Sequence, residues 1–269
     1  MYCRGWLALA ILASLAAFAQ PRGPKARERA RQRMEELRER KTLQVNGVER
    51  VYTIVQPVTR EAAIPMIVVF HAASANPDAM LRMSALGQKP GERKELVVYP
   101  ENTNPGGAWS DGDTAFVSML IDDLLKQDKA LDRTRVYLVG AGAGGAFTQQ
   151  LGCLLNAKVA AIASIGAQMP VGLEALCKTA KESMPAMLIG GNAFDFWRRQ
   201  NGCQGEPVAE NREGFRQVDQ RTMKNCKDGA EVVQVDVKGQ RQPNAPLWPP
   251  SATGEVMAFL SRFRRTPQF

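Results

Sequence analysis

The chain has 269 residues, 45% of them apolar and 23% charged, which is enough to bury one substantial core and excludes a low-complexity or fully disordered protein. Its net charge of +8 suggests an acidic partner until the charge is located. Residues 22–41 hold nine Lys or Arg against four Glu and Arg4 adds one more, so the rest of the chain is close to neutral and no nucleic-acid-binding surface is expected.

The first residues, MYCRGWLALAILASLAAFAQP, combine a positive start at Arg4, an apolar run from Trp6 to Phe18 and small residues at Ala17 and Ala19. That layout predicts a secretory signal over residues 1–19, cleaved after Ala19, with an uncleaved anchor as the alternative. Once it is removed, no membrane-spanning stretch is expected and the protein is secreted or periplasmic. Residues 20–42 form a basic leader, read as a solvated helix or spacer, with attachment to an anionic surface or cell-wall polymer as the functional alternative.

From Leu43 the pattern changes to short apolar runs separated by turns, and residues 43–269 are expected to form one domain. Asn46-Gly47 lies between two β-prone segments, the strongest short hairpin signal. Apolar strands follow at 64–70, 95–100, 135–140, 158–167, 185–191 and 230–237. Helical spacing appears at 114–127, 146–156 and 251–265. Alternating strands and helices predict an α/β fold with a mainly parallel sheet, helices on both faces and an N-terminal antiparallel hairpin.

Four cysteines remain after the signal, Cys153, Cys177, Cys203 and Cys226. An even number in an exported chain reads as two disulfides, for which three pairings exist. There is no C-x-x-C and His71 is the only histidine, so metal ligation is not expected. Asp111 and Asp113 in NPGGAWSDGD could suggest calcium, but the loop lacks the ligand count of a calcium motif.

The stretch RVYLVGAGAGGAFTQQ carries a strand into a helix through small residues and admits two readings. Gly140, Gly142 and Gly145 spell G-x-G-x-x-G, a dinucleotide fingerprint, but the ribose-binding acid expected after the next strand is missing from IASIGAQ. No cofactor is therefore expected. The other reading is a nucleophile elbow, G-x-S-x-G, here written Gly140-Ala141-Gly142-Ala143-Gly144 with glycine in the serine position.

Together with IPMIVVFHAAS before it and CKDGAEVVQVDVKGQ and LWPP after it, this segment resembles the secreted polyhydroxybutyrate depolymerase and feruloyl esterase branch of the α/β-hydrolases. The resemblance runs from about Val51 to Phe263 and includes Asp132, Arg135, Val136 and Tyr137 ahead of the elbow. It also includes Trp197, Asn201, Gly202 and Cys203 in W-x-x-x-N-G-C, and Trp248-Pro249 near the end. It implies a serine ester hydrolase, which needs an activated hydroxyl, a histidine base, an orienting carboxylate and oxyanion donors.

Set against that requirement, the nucleophile position is Gly142 and the base position is Pro246, both empty of chemistry. The acid position falls on Phe194, one residue before Asp195, which is the possible surviving acid. His71 matches the histidine of an oxyanion-loop H-G pair, with Ala72 in place of the glycine. Two functions follow: an inactive scaffold that keeps a pocket for an ester, aromatic or polymer ligand, or a hydrolase that uses a rearranged site around His71 with Ser74 or Cys153. The expected pocket residues are His71, Ala72, Trp109, Ala141, Gly142, Ala143 and Trp248, with Trp197 a further aromatic at the mouth; packing at the fold's edge is the alternative role of the tryptophans. Cys153 is expected to pair with Cys177, and Cys203 with Cys226, the latter pairing echoing the family's arrangement. The sequence does not indicate an oligomeric state.

Overall fold

A computed structural model describes residues 35–86, 94–104, 107–212, 218–237 and 247–266, with Lys25, Glu28 and Gln32 before them. The chain divides into a unit of residues 1–35, in which the few described residues are helical, and a compact unit of residues 36–269. The signal expected at 1–19, most of the expected 20–42 leader and Pro246 lie outside the described residues.

The large unit contains ten strands: β1 Arg38–Val45, β2 Val48–Val55, β3 Ile64–Phe70, β4 Leu96–Pro100, β5 Leu131–Ala141, β6 Ala161–Ile165, β7 Ala186–Ile189, β8 Val208–Arg212, β9 Val218–Met223 and β10 Val232–Val237. Among the described residues of this unit six α-helices connect or follow the strands, α1 Pro77–Ser84, α2 Asp111–Gln127, α3 Ala143–Leu154, α4 Leu173–Cys177, α5 Phe194–Gln200 and, after β10, α6 Ala252–Leu260. All ten strands join one sheet in the order β1-β2-β4-β3-β5-β6-β7-β10-β9-β8. The centre is parallel and both edges are antiparallel hairpins.

Asn46 and Gly47 both take positive φ, 51° and 80°, as a two-residue hairpin turn requires, so β1 and β2 pair in the expected place. One boundary is corrected. β1 begins at Arg38, so residues 38–42 belong to the sheet and not to the leader. Their charges are those of an edge strand, half of which faces solvent. The polar hairpin of β8 and β9, at the opposite edge, was not legible as an apolar run.

The central strands are buried on both faces, which is why they read as continuous apolar runs. On one face Met66, Val68, Phe70, Val136 and Leu138 pack with α2, α3, α4 and α5. On the other, Ile67, Val69, Tyr137 and Val139 pack with α1 and α6. The period-2 alternation within β3 and β5 thus divides the core into two layers, with helices over each.

The disulfides are Cys153–Cys177, joining the end of α3 to α4, and Cys203–Cys226, tying the turn after α5 to the segment before β10. Both pairings are the expected ones, and they are compatible with an extracellular or periplasmic location. Among the described residues no helix is long and apolar enough to cross a membrane. Past α6 the chain folds back on the sheet. Arg265 donates its backbone N–H to Thr134 O at 2.8 Å and its guanidinium to Val159 O and Ser183 O at 2.8 and 3.1 Å.

Candidate functional site

The turn from β5 into α3 is sharp. Gly142 closes the strand by donating its N–H to Ile165 O at 2.9 Å, and its carbonyl accepts from Ala146 N at 3.0 Å to start the helix. Its φ and ψ are 55° and −120°, a conformation that costs an L-residue strain and glycine little. This is the strand-to-helix elbow on which a nucleophile would be held. At its apex there is no side chain.

The other glycines serve packing. A Cβ on Gly144 would overlap the carbonyls of Phe70 and His71, and one on Gly140 would overlap Gly144. A Cβ on Gly145 would come within 2.8 Å of the Ala167 methyl. These small residues let α3 press against the ends of β3 and β5, and the room they leave is filled by protein. Thr148 Oγ1 donates to Gly144 O and Ser164 Oγ to Gly145 O, at 2.8 and 3.0 Å.

Ala141 is fully buried, whereas Gly142, Ala143 and Ala72 are half-buried. Ala143 is the first residue of α3, where backbone N–H groups have no acceptor within the helix, so a donor able to bind an anion lies beside Gly142. Two side chains crowd the apex. A Cβ built on Gly142 would lie 3.2 Å from Ala72 Cβ and 3.5 Å from Leu247 Cδ2. Leu247 also covers Gly166, where a Cβ would meet its Cδ1 at 2.5 Å. Leu247 was not singled out by the sequence; its place directly after Pro246, the expected base position, was the available signal. Pro246 itself lies outside the described residues.

His71 follows β3 and is 2% exposed. Its Nδ1 lies 2.9 Å from Ala72 O, so this nitrogen carries the proton and Nε2 keeps the lone pair. Burial pushes the imidazole below its ordinary pKa, against the opposing pull of the Ala72 carbonyl, Glu101 and Asp113. Trp109 donates its indole N–H to His71 O at 2.9 Å and stacks on Phe147 with ring centroids 5.0 Å apart.

The loop carrying Trp109 is anchored by a buried ion pair. Arg50 reaches Asp113 at 2.5 Å, and Asp113 also accepts from Thr103 N, Ser110 N and Ser110 Oγ at 3.1, 2.7 and 2.8 Å. Both Asp113 oxygens are thus engaged by protein donors.

The remaining expected residues are dispersed. Asp195 sits in the first turn of α5 with its side chain 64% exposed, paired with Arg198 at 3.1 Å, while Phe194, on which the resemblance puts the acid, is buried beneath Arg221. Trp248 is buried in the α6-side core and donates to Thr253 Oγ1 at 3.0 Å; it packs the fold and does not line an open groove. Trp197 is likewise core, as is Asn201, whose amide bonds both the N–H and the carbonyl of Met184 at 2.8 Å. Of the aromatic mouth, only Trp109 remains beside His71. Cys153 is held in its disulfide, which removes it as a nucleophile.

No family model matches the chain, and no curated protein matches it. Solved structures do match. A thermostable esterase is 17% identical with a TM-score of 0.60 over 86% of this chain, which spans 64% of that structure's length. An acetyl xylan esterase from Aspergillus awamori is 10% identical with a TM-score of 0.66, covering 83% of this chain and 99% of its own. A protein called pOPH, in its native form, is 13% identical with a TM-score of 0.57, covering 85% and 88%. At such identities the likeness is one of fold, and that fold is the α/β-hydrolase fold.

Proposed function

We propose that this chain is an exported α/β-hydrolase-fold protein of the polyhydroxybutyrate depolymerase and feruloyl esterase branch that has lost ester hydrolysis and retains a binding role. Gly142 carries the proposal: it holds the elbow geometry of a nucleophile with no group to attack a carbonyl. The sequence places proline at the base position, and Asp195 points to solvent beside Arg198. Loss of nucleophile or base alone removes most of the advantage of a serine triad. Structural neighbours named as esterases make ester-bearing compounds the class to test for binding at the half-exposed apex.

The competing reading, a hydrolase centred on His71, draws on one observation. His71 lines a cavity together with Ser74, whose φ of 60° is unusual for a non-glycine residue. Against it, the buried imidazole is engaged with Ala72 O and makes no described hydrogen bond to Ser74.

Assays of purified protein with p-nitrophenyl and feruloyl esters separate the two. The expected result is a rate indistinguishable from the buffer blank and no labelling by a fluorophosphonate. Turnover that disappears in His71→Ala would overturn the proposal and establish the displaced site.

A further inference from the structure

The cavity beside His71 lies at the C-terminal ends of β3 and β4 and beneath the start of α1, with a volume of about 460 Å³. Strand alternation builds it. Arg38 and Arg40 share one face of β1, Thr53 sits opposite Arg40 on β2, and His71 continues the row of Ile67 and Val69 on β3. Across from the arginines stand Asp78, in the first turn of α1, and Glu101, just past β4.

The charged groups form two pairs. Arg38 is bonded to Asp78, and Arg40 holds Glu101 at 3.1 and 3.3 Å through Nη2. Thr53, His71 and Asn102 are buried polar residues in the lining, and Asn102 donates to Gly107 O at 3.1 Å. Among the described residues no Phe, Tyr or Trp lines the cavity, and the only apolar ones are Ala75 and Pro77. It therefore offers neither a stacking platform for an aromatic or sugar ring nor an apolar slot for an acyl chain.

We infer that this cavity is a binding site for a small zwitterion of the amino-acid class. With His71 neutral, the two arginines and two carboxylates cancel. A simple anion that took an arginine would compete with the carboxylate already paired there and gain only one side of the pair, and a simple cation would do the reverse. A molecule bearing both charges enters an arginine–carboxylate pair and satisfies each side, its carboxylate accepting from the guanidinium fork and its ammonium donating to Glu101 or Asp78. The pairs are partly exposed, with Arg40 at 63% and Asp78 at 46%, and such pairs hold weakly enough to be opened. His71 and Asn102, buried polar residues of the lining, bring an imidazole and an amide to the same cavity.

The inference does not rest on the proposed loss of hydrolysis, and its test does not use ester turnover. Full-length mature protein is titrated with glycine and L-serine, and separately with sodium acetate, ethylammonium chloride and glycerol at matched ionic strength. The signal of the only imidazole in the chain and calorimetric heat are followed. Saturable binding of glycine or L-serine that moves the His71 resonance is expected, with acetate, ethylammonium and glycerol at least about tenfold weaker and R40Q and E101Q each weakening binding by about tenfold. Saturation by acetate, ethylammonium or glycerol as tight as by the zwitterions would overturn the inference. So would no saturation by either amino acid up to about 100 mM, or zwitterion binding unchanged in both variants. Both substituted side chains lie at the cavity rim, and folding of each variant is verified by its thermal transition.

Discussion

The indole N–H of Trp109 donates to the backbone carbonyl of His71 at 2.9 Å, while Trp109 stacks on Phe147 and meets Phe70 edge-on at 5.2 Å between centroids. One half-buried side chain thus joins the NPGGAWSDGD loop, the end of β3 and the first turns of α3. Trp109→Phe keeps most of the packing and removes the donor, so it should cost about 1–2 kcal/mol. Trp109→Ala also removes the stack and should cost about 3 kcal/mol or more. Denaturant unfolding of the two variants checks this; an unchanged Trp109→Phe would show that the hydrogen bond contributes nothing, and equal losses that the stack does not.

The glycines of the elbow should respond differently to the same added methyl. Gly144→Ala drives a Cβ into the rigid carbonyls of Phe70 and His71 and should cost more than about 3 kcal/mol, enough to lower the yield of folded protein. Gly142→Ala meets only side-chain carbons at 3.2 and 3.5 Å but carries a φ of 55°, so a loss of about 1–2 kcal/mol is expected. Thermal melts of the pair rank them, and a reversed order would contradict the packing role given to Gly144. Gly142→Ser combined with Pro246→His should fold yet be less stable than the parent.

Asp132, which is 10% exposed, contributes a pH-dependent stability. Burial pulls its carboxyl upward, but hydrogen bonds from Thr134 and Arg135 overcome this and hold the pKa at about 2. Because the folded value lies below the unfolded one of about 3.9, the stabilisation is complete above that value and disappears as pH falls toward 2; it amounts to about 2 kcal/mol. Asp132→Asn should lose that amount at neutral pH and flatten the acid limb of the stability profile between about pH 4 and 2. An unchanged limb would remove Asp132 as its origin.

His71 gives a second, separate pH signature. Its pKa is depressed by burial, so the folded protein holds it neutral where an unfolded chain would already bind a proton. Stability associated with it is therefore intact above the ordinary value of about 6.5 and declines as pH falls below it. The single imidazole should titrate below that value by NMR; a midpoint at or above it would mean that the ring is solvated.

Much of this was readable in advance, for reasons that differ by element. Asn46-Gly47 fixed the first hairpin because few residue pairs adopt two successive positive φ values, and β3, β5 and β6 were plain because strands buried on both faces are apolar throughout. The elbow was found through its small residues. By contrast, Arg38 and Arg40 read as part of a charged leader, since an edge strand with one wet face has no apolar run. Their period-2 spacing, continuous with that of β1, was the signal. The core placement of Trp197 and Trp248 was equally hidden, because a tryptophan's residue type does not say which layer it enters. Leu247 acquires meaning only once the chain returns over Gly142 and Gly166.

The contact between positions 72 and 142 couples two segments far apart in sequence. A Cβ at residue 142 would lie 3.2 Å from the Ala72 methyl, so a side chain there is accommodated only if the loop after β3 gives by a few tenths of an ångström. The cost of a substitution at 142 therefore depends on residue 72, and Ala72→Gly should lower the penalty of Gly142→Ala or Gly142→Ser.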